Sequence, residues 1–209
     1  IPYDPSQEEL RDYRRIAIWE VDDTGSGMPV PNGKYRPDTK SVTFTTTRFN
    51  RFGVAMAYKT FEDMTGYTDE VRTAIEVLAS KGVVAGAEEQ AYKPETAITR
   101  ADFLYALVNT LGLTADFQTN FADVSEKDYY YQALGVAKAL GITNGTGGNL
   151  FRPGDAITRQ DMTKLMVLAM KAAGMTNLEA SGTELDGFKD AAAIAPYAKE
   201  SMAILVKAG

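Results

Sequence analysis

Along the first 58 residues apolar and polar positions alternate in short runs. RRIAIWEV (14–21) and SVTFTTT (41–47) are such runs, and in the second Val42 and Phe44 alternate with Thr43 and Thr45. That period of two, in segments rich in β-branched and aromatic residues, predicts half-buried strands. RFGVAMAY (51–58) supplies material for a further strand. Between the first two runs lie DDTGSG and PNGKYRPDT, which are turn chemistry, with Asn32-Gly33 the clearest short-turn signal. A sheet of three or four strands is thin, so this segment reads as the end of a larger β domain or as a layer packed on the rest of the chain.

From Phe61 the period becomes helical. DEVRTAIEVLASKG puts Val71, Ala74, Ile75 and Leu78 on one face and stops at Gly82, a suitable residue just past a helix end. A second helix is announced by AITRADF (97–103). Thr99 fits the N-cap with Asp102 three residues on, and Ile98 and Phe103 sit at staple positions. Arg100 then occupies the first helical position, where the helix dipole disfavours a cation by about 0.3–1 kcal/mol. AITRQDM (156–162) repeats this arrangement with its arginine, Arg159, 59 residues further on.

The repetition extends well beyond the cap. Phe61-x-Asp63-Met64 matches Phe121-x-Asp123-Val124, GVVAG (82–86) matches GITNG (141–145), and Tyr92-x-Pro94 matches Phe151-x-Pro153. A third copy opens at Phe188-x-Asp190-Ala191 and runs through Met202 and Leu205 to Gly209, where its loop, cap and arginine would come next. Each unit has too little core to stand alone, so copies must pack on one another. Spacing alone leaves a short solenoid and a closed threefold bundle both open.

The frame F-x-D, A-(I/L), G-(I/V)-x-x-G, (F/Y)-x-P and I-T-R-(A/Q)-D resembles the S-layer homology domain over Phe61 to Gly209. The resemblance implies a mainly α fold: tandem helix-loop-helix repeats in a pseudo-trimeric bundle, here preceded by a small antiparallel β segment. The expected division is 1–58 as the β-rich segment, 61–115 and 121–175 as repeats 1 and 2, and 188–209 as a partial repeat 3. It further implies a C-terminal anchoring region that binds secondary cell wall polysaccharide, often pyruvylated, and holds a surface protein on the wall of a Gram-positive-type bacterium. Arg100 and Arg159 match the family's polymer-binding arginine, Asp63, Asp123 and Asp190 its acidic position, and Gly86 and Gly145 its loop glycine. Tyr129 and Tyr197 stand where the family often has tryptophan, while the first copy has Glu70 there. Arg159, Asp123 and Tyr129 are the expected members of one groove. A guanidinium fork suits a carboxylate, helix-start N–H groups add donors, and a tyrosine ring can stack on a sugar.

Plainer roles stand beside these. The arginines could be surface residues paired with Asp63 or Asp123, the aspartates caps or turn formers, and the glycines purely conformational. Asp22-Asp23 lacks EF-hand spacing and reads as a turn, and NGTGGN (144–149) lacks the lysine and preceding strand of a phosphate loop. Glu88-Glu89 reads as solvated surface and not as a glycosidase acid pair.

Composition narrows the chemistry. The chain of 209 residues has neither Cys nor His, which excludes thiolate and imidazole catalysis or metal ligation within it. No catalytic residue, metal or cofactor is expected. A formal charge of −6, with the acidic excess after residue 60, argues against nucleic acid. No apolar run is long enough for membrane insertion. Ile1 opens the chain without a Met or signal peptide, so it reads as a fragment or processed form. Two other functions stay open: a surface scaffold whose repeats self-associate, the partial third repeat exposing an apolar face to the β segment or another chain, and a fragment of an extracellular polysaccharide-degrading enzyme.

Overall fold

The structure is a computed structural model that describes residues 1–46, 49–86 and 90–208. It divides into two compact units, Ile1–Thr96 and Ala97–Gly209.

In the first unit, strand β1 (Ile16–Val21) lies between β2 (Gly27–Val30) and β5 (Arg51–Met56), antiparallel to both. The alternation along β1 sends Ile16 and Ile18 inward, where they meet Val42 and Tyr35 of a two-stranded sheet, β3 (Lys34–Arg36) and β4 (Ser41–Thr43). The β1–β2 turn is built by Asp22, whose Oδ1 accepts the N–H of Thr24 and of Ser26, each at 2.9 Å. That is an Asx turn, the turn reading of Asp22-Asp23.

Helix α1 (Asp69–Ser80) belongs to this unit, capped by Thr68 and ended by Gly82 at φ +68°. Its apolar stripe is not what it buries. Val71 and Leu78 are exposed, while Glu76 and Ser80 are buried. Glu76 accepts a hydrogen bond at 2.8 Å from Arg15, which Asp12 also holds at 3.1 Å. Both members of the Arg15–Glu76 pair are about nine-tenths covered. Losing either would leave a buried charge without its counter-charge. A side chain at position 82 would collide with Pro29, so the glycine also permits the β2 end to lie against the helix end.

The second unit holds α2 (Arg100–Leu111), α3 (Tyr131–Ala139), α4 (Arg159–Ala172) and α5 (Pro196–Ala208). α2 packs on α3, α4 on α5, and α2 against α4. Leu104, Val108, Leu134, Ile142, Phe151 and Leu165 form the core. Phe61 and Phe121 are 4% and 3% exposed, whereas Phe188, which opens the third F-x-D run, is 50% exposed.

The expectation of a mainly α, pseudo-trimeric bundle of helix-loop-helix repeats is overturned. Helix accounts for 36% of the chain and strand for 13%, a mixed architecture. One reason is that the described residues form five strands where the alternating pattern suggested three or four, because β3 lies inside the turn stretch PNGKYRPDT and β2 fills the short gap between DDTGSG and that stretch. The other is that the repeats invest many residues in loops pinned by side chains, so their helices are only 9–14 residues long.

Candidate functional site

The acidic position of the repeat has the same geometry twice. Asp63 accepts the N–H of Tyr92 at 3.0 Å and of Lys93 at 2.6 Å, one on each carboxylate oxygen. Asp123 does the same with Phe151 at 2.9 Å and Arg152 at 2.8 Å. Lys93 and Arg152 both adopt φ +57°, a left-handed conformation that brings two successive N–H groups onto one anion. The preceding aromatics stack on the opening ones, Tyr92 on Phe61 at 5.4 Å and Phe151 on Phe121 at 5.3 Å between centroids. The Tyr92 and Lys93 N–H groups hold the Asp63 carboxyl below its usual range. At Asp123 partial burial opposes ionisation, but the Phe151 and Arg152 donors outweigh it and the pKa is also lowered. These aspartates clamp the aromatic-x-Pro loop.

The helix starts are capped as the pattern predicts, Thr99 accepting from the N–H of Asp102 and Thr158 from that of Asp161, both at 3.1 Å. Their free N–H groups are another matter. Arg100 N–H donates to Asp155 O at 2.9 Å and Ala101 N–H to Pro153 O at 3.1 Å. The start of α2 is therefore sealed by the backbone of the next repeat and offers no anion those donors.

Arg100 itself is 8% exposed. Its Nε donates to Phe151 O at 3.0 Å, its Nη1 to Asp161 at 2.9 Å, and its guanidinium lies over the Phe151 ring at 5.0 Å. The other Asp161 oxygen accepts from the Tyr197 hydroxyl at 2.8 Å. Burial, and then this bond to Asp161, push the Tyr197 pKa up. Around them opens a groove of about 330 Å³ lined by Arg100, Asp161, Lys164, Tyr197 and the GITNG loop, Gly145 included. Gly145, at φ +75°, has no room for a side chain, since a Cβ would stand 2.2 Å from Leu150 O. Three expected site residues thus share one groove: Arg100, Gly145 and Tyr197.

The rest lie elsewhere. Tyr129, half exposed, donates its hydroxyl to Asp102 and meets Tyr105 edge-on at 5.2 Å. Partial burial, followed by the bond to Asp102, raises its pKa. Arg159 is exposed and borders a more apolar cleft of about 360 Å³ with Asp190, Phe188 and Met202. Arg159, Asp123 and Tyr129, expected together, occupy three separate settings. Neither arginine pairs with Asp63 or Asp123 among the described residues. Gly86 is half-buried in the first unit, next to residues 87–89, and the Glu88-Glu89 pair lies outside the described residues. Asp161 stands in the pattern only as the acidic member of the cap after Thr158, and Lys164 has no place in it. Their i, i+3 spacing on α4, which puts them on one face, was the available signal.

Residues 60–104 and 120–163 match the S-layer homology domain family. The chain carries S-layer homology repeats. It is 30% identical over 203 residues to an amylopullulanase of Thermoanaerobacterium thermosulfurigenes, covering 96% of this chain and 11% of that protein. It is 32% identical over 158 residues to exoglucanase XynX of Acetivibrio thermocellus, covering 75% of this chain and 14% of that protein. The surface-layer 125 kDa protein of Lysinibacillus sphaericus is 32% identical over 149 residues, 71% of this chain and 12% of that protein. The chain thus spans a small fraction of the length of these curated relatives. The repeats and the surface-layer relatives place it at the cell surface, associated with the cell wall of a Gram-positive-type bacterium.

Proposed function

We propose that the repeats bind secondary cell wall polysaccharide in the groove between copies, and so hold the protein to which they belong on the wall. The observation that carries this reading is the convergence of Arg100, Gly145 and Tyr197 on one polar groove. Tyr197 offers a half-exposed ring for a sugar face, and the GITNG loop offers polar groups at its rim. The S-layer homology repeat is an anchoring module and not a catalytic one, so the binding is non-covalent and no reaction is assigned to the groove. Arg159, Asp190 and the adjoining cleft form a second, weaker candidate, as does the Tyr129–Asp102 pair.

The test is co-sedimentation of the 209-residue chain with purified wall sacculi, before and after chemical removal of the secondary polymer. Pelleting is expected with intact sacculi, to be lost on stripping, and to weaken about tenfold in Tyr197→Ala, as removal of a stacking ring predicts. Pelleting that survives stripping would defeat the polysaccharide reading.

A further inference from the structure

We propose that Asn144 is a modification site, whose side-chain amide is lost spontaneously to attack by the Gly145 backbone nitrogen, leaving aspartate and isoaspartate. The chain holds two Asn-Gly steps, Asn32-Gly33 and Asn144-Gly145. In each, the following glycine has no Cβ to keep its nitrogen away from the asparagine amide carbon. By sequence the two steps are alike. Their surroundings separate them.

Asn32 is held at both ends of its amide. Nδ2 donates to Thr45 O at 2.8 Å, and Oδ1 accepts the Thr45 N–H at 3.2 Å. Gly33 is buried, its N–H donates to Val30 O at 3.1 Å, and its carbonyl accepts from the Lys81 ammonium at 3.1 Å. To reach the Gly33 nitrogen, the Asn32 amide has to give up both Thr45 bonds. Asn144 is exposed, lies outside helix and strand, and makes no side-chain hydrogen bond among the described residues. The Gly145 N–H donates to Thr143 Oγ1 at 3.1 Å. Nothing has to be released before the Asn144 amide turns onto it.

The step needs only water. The Gly145 nitrogen loses its proton to solvent base and bonds to Asn144 Cγ. The Cγ–Nδ2 bond breaks, and the departing nitrogen takes up a proton to leave as ammonia. One water then opens the cyclic imide, and nothing is oxidised or reduced. Cleavage between Cγ and the Gly145 nitrogen gives aspartate. Cleavage between the main-chain carbonyl and that nitrogen gives isoaspartate, with the chain rerouted through the side chain. Either product puts a new carboxylate in the GITNG loop, where Asn144 lines the groove. Isoaspartate also adds a methylene to the backbone beside a glycine that is closely packed. A Cβ on Gly145 would stand 2.2 Å from Leu150 O and 2.8 Å from Phe121. Ageing therefore alters both the charge and the packing of this loop. The reaction involves no ligand and does not depend on what the groove holds.

The 209-residue chain is incubated in mildly alkaline buffer, well below its melting temperature, and sampled by peptide mass spectrometry. Isoaspartate is read separately by enzymatic carboxyl methylation. A parallel incubation in concentrated urea gives the rates of the two steps without structure and so corrects for their neighbouring residues. After that correction, Asn144 is expected to convert about tenfold or more faster than Asn32 in the folded chain, since two hydrogen bonds must break at Asn32 alone. Asn144→Gln should remove the isoaspartate signal of the folded chain. Aged wild type should also melt below aged Asn144→Gln, each compared with its own fresh sample. If folded Asn144 survives while it converts in urea, or if folded Asn32 converts as fast, the assignment to Asn144 is wrong.

Discussion

Arg100 and Arg159 open equivalent helices after the same Ile-Thr step, and the two junctions they stand at are opposites. Around Arg100 the backbone of the following repeat supplies acceptors, Asp161 supplies a charge, and Phe151 supplies a ring. Around Arg159 there is an open cleft bordered by Phe188, which is half exposed where its two counterparts are covered. The first junction is closed because the aromatic-x-Pro loop is present to be clamped. Tyr92 and Phe151 each bring a ring to their opening phenylalanine and two N–H groups to their aspartate. The motif specifies a cap, whereas its arginine takes its role from the repeat that comes after it.

The contrast between the junctions is tested most severely at the phenylalanines. Phe121→Ala should cost about 3–5 kcal/mol of stability, as a buried aromatic truncation does. Phe188→Ala should cost under about 1 kcal/mol. Urea unfolding followed by circular dichroism would measure both, and equal losses would mean that Phe188 is as well covered in solution as Phe121. Next come the arginines. Arg100→Ala leaves Asp161 without its counter-charge and Phe151 O without its donor, about 2–4 kcal/mol after allowing for the partial exposure of Asp161. Arg159→Ala should stay within about 0.5 kcal/mol. Thermal melts of the two variants side by side decide it, and similar shifts would erase the distinction between the junctions.

Gly145→Ala forces both a left-handed backbone and a clash with Leu150 O, so a loss of about 1–3 kcal/mol is expected. Gly147→Ala, at φ +107° with open space around its Cβ position, carries the backbone strain alone and should lose less in the same melts. The acid response is smaller still. Asp63 and Asp123 have carboxyls held below their usual range by paired N–H donors. Their contribution is therefore complete above the ordinary carboxylate range, about pH 4, and disappears as pH falls through the lowered folded values. Asp123→Asn should flatten that part of the stability profile below about pH 4, read from urea midpoints at each pH. An unchanged profile would show that the clamp does not depend on charge.

The local structure was largely legible. The caps at Thr99 and Thr158, the stop at Gly82 and the strand through Ile16 and Ile18 arise from patterns that operate within a few residues. The buried face of α1 was not. Its apolar stripe pointed to Val71 and Leu78, but Glu76 is what the first unit covers, because Arg15, 61 residues earlier in the chain, brings the counter-charge. The groove was legible in part. The residue types of Arg100, Gly145 and Tyr197 stood out, but Lys164 did not, since a lone lysine on an amphipathic helix resembles any solvated surface position.

The repeat, its caps and its glycine turns are written in the linear pattern, since their partners lie within a few residues of one another in the motif. The balance of helix and strand, the surroundings of either arginine and the place of Lys164 in the groove are not written there. They come from the three-dimensional arrangement, because charge and burial depend on which distant chain segment reaches a side chain, and two identical motifs can be given different neighbours. Arg100 met Asp161 and became part of the framework. Lys164, three residues beyond Asp161 on the same helix face, lies over the ring of Tyr197.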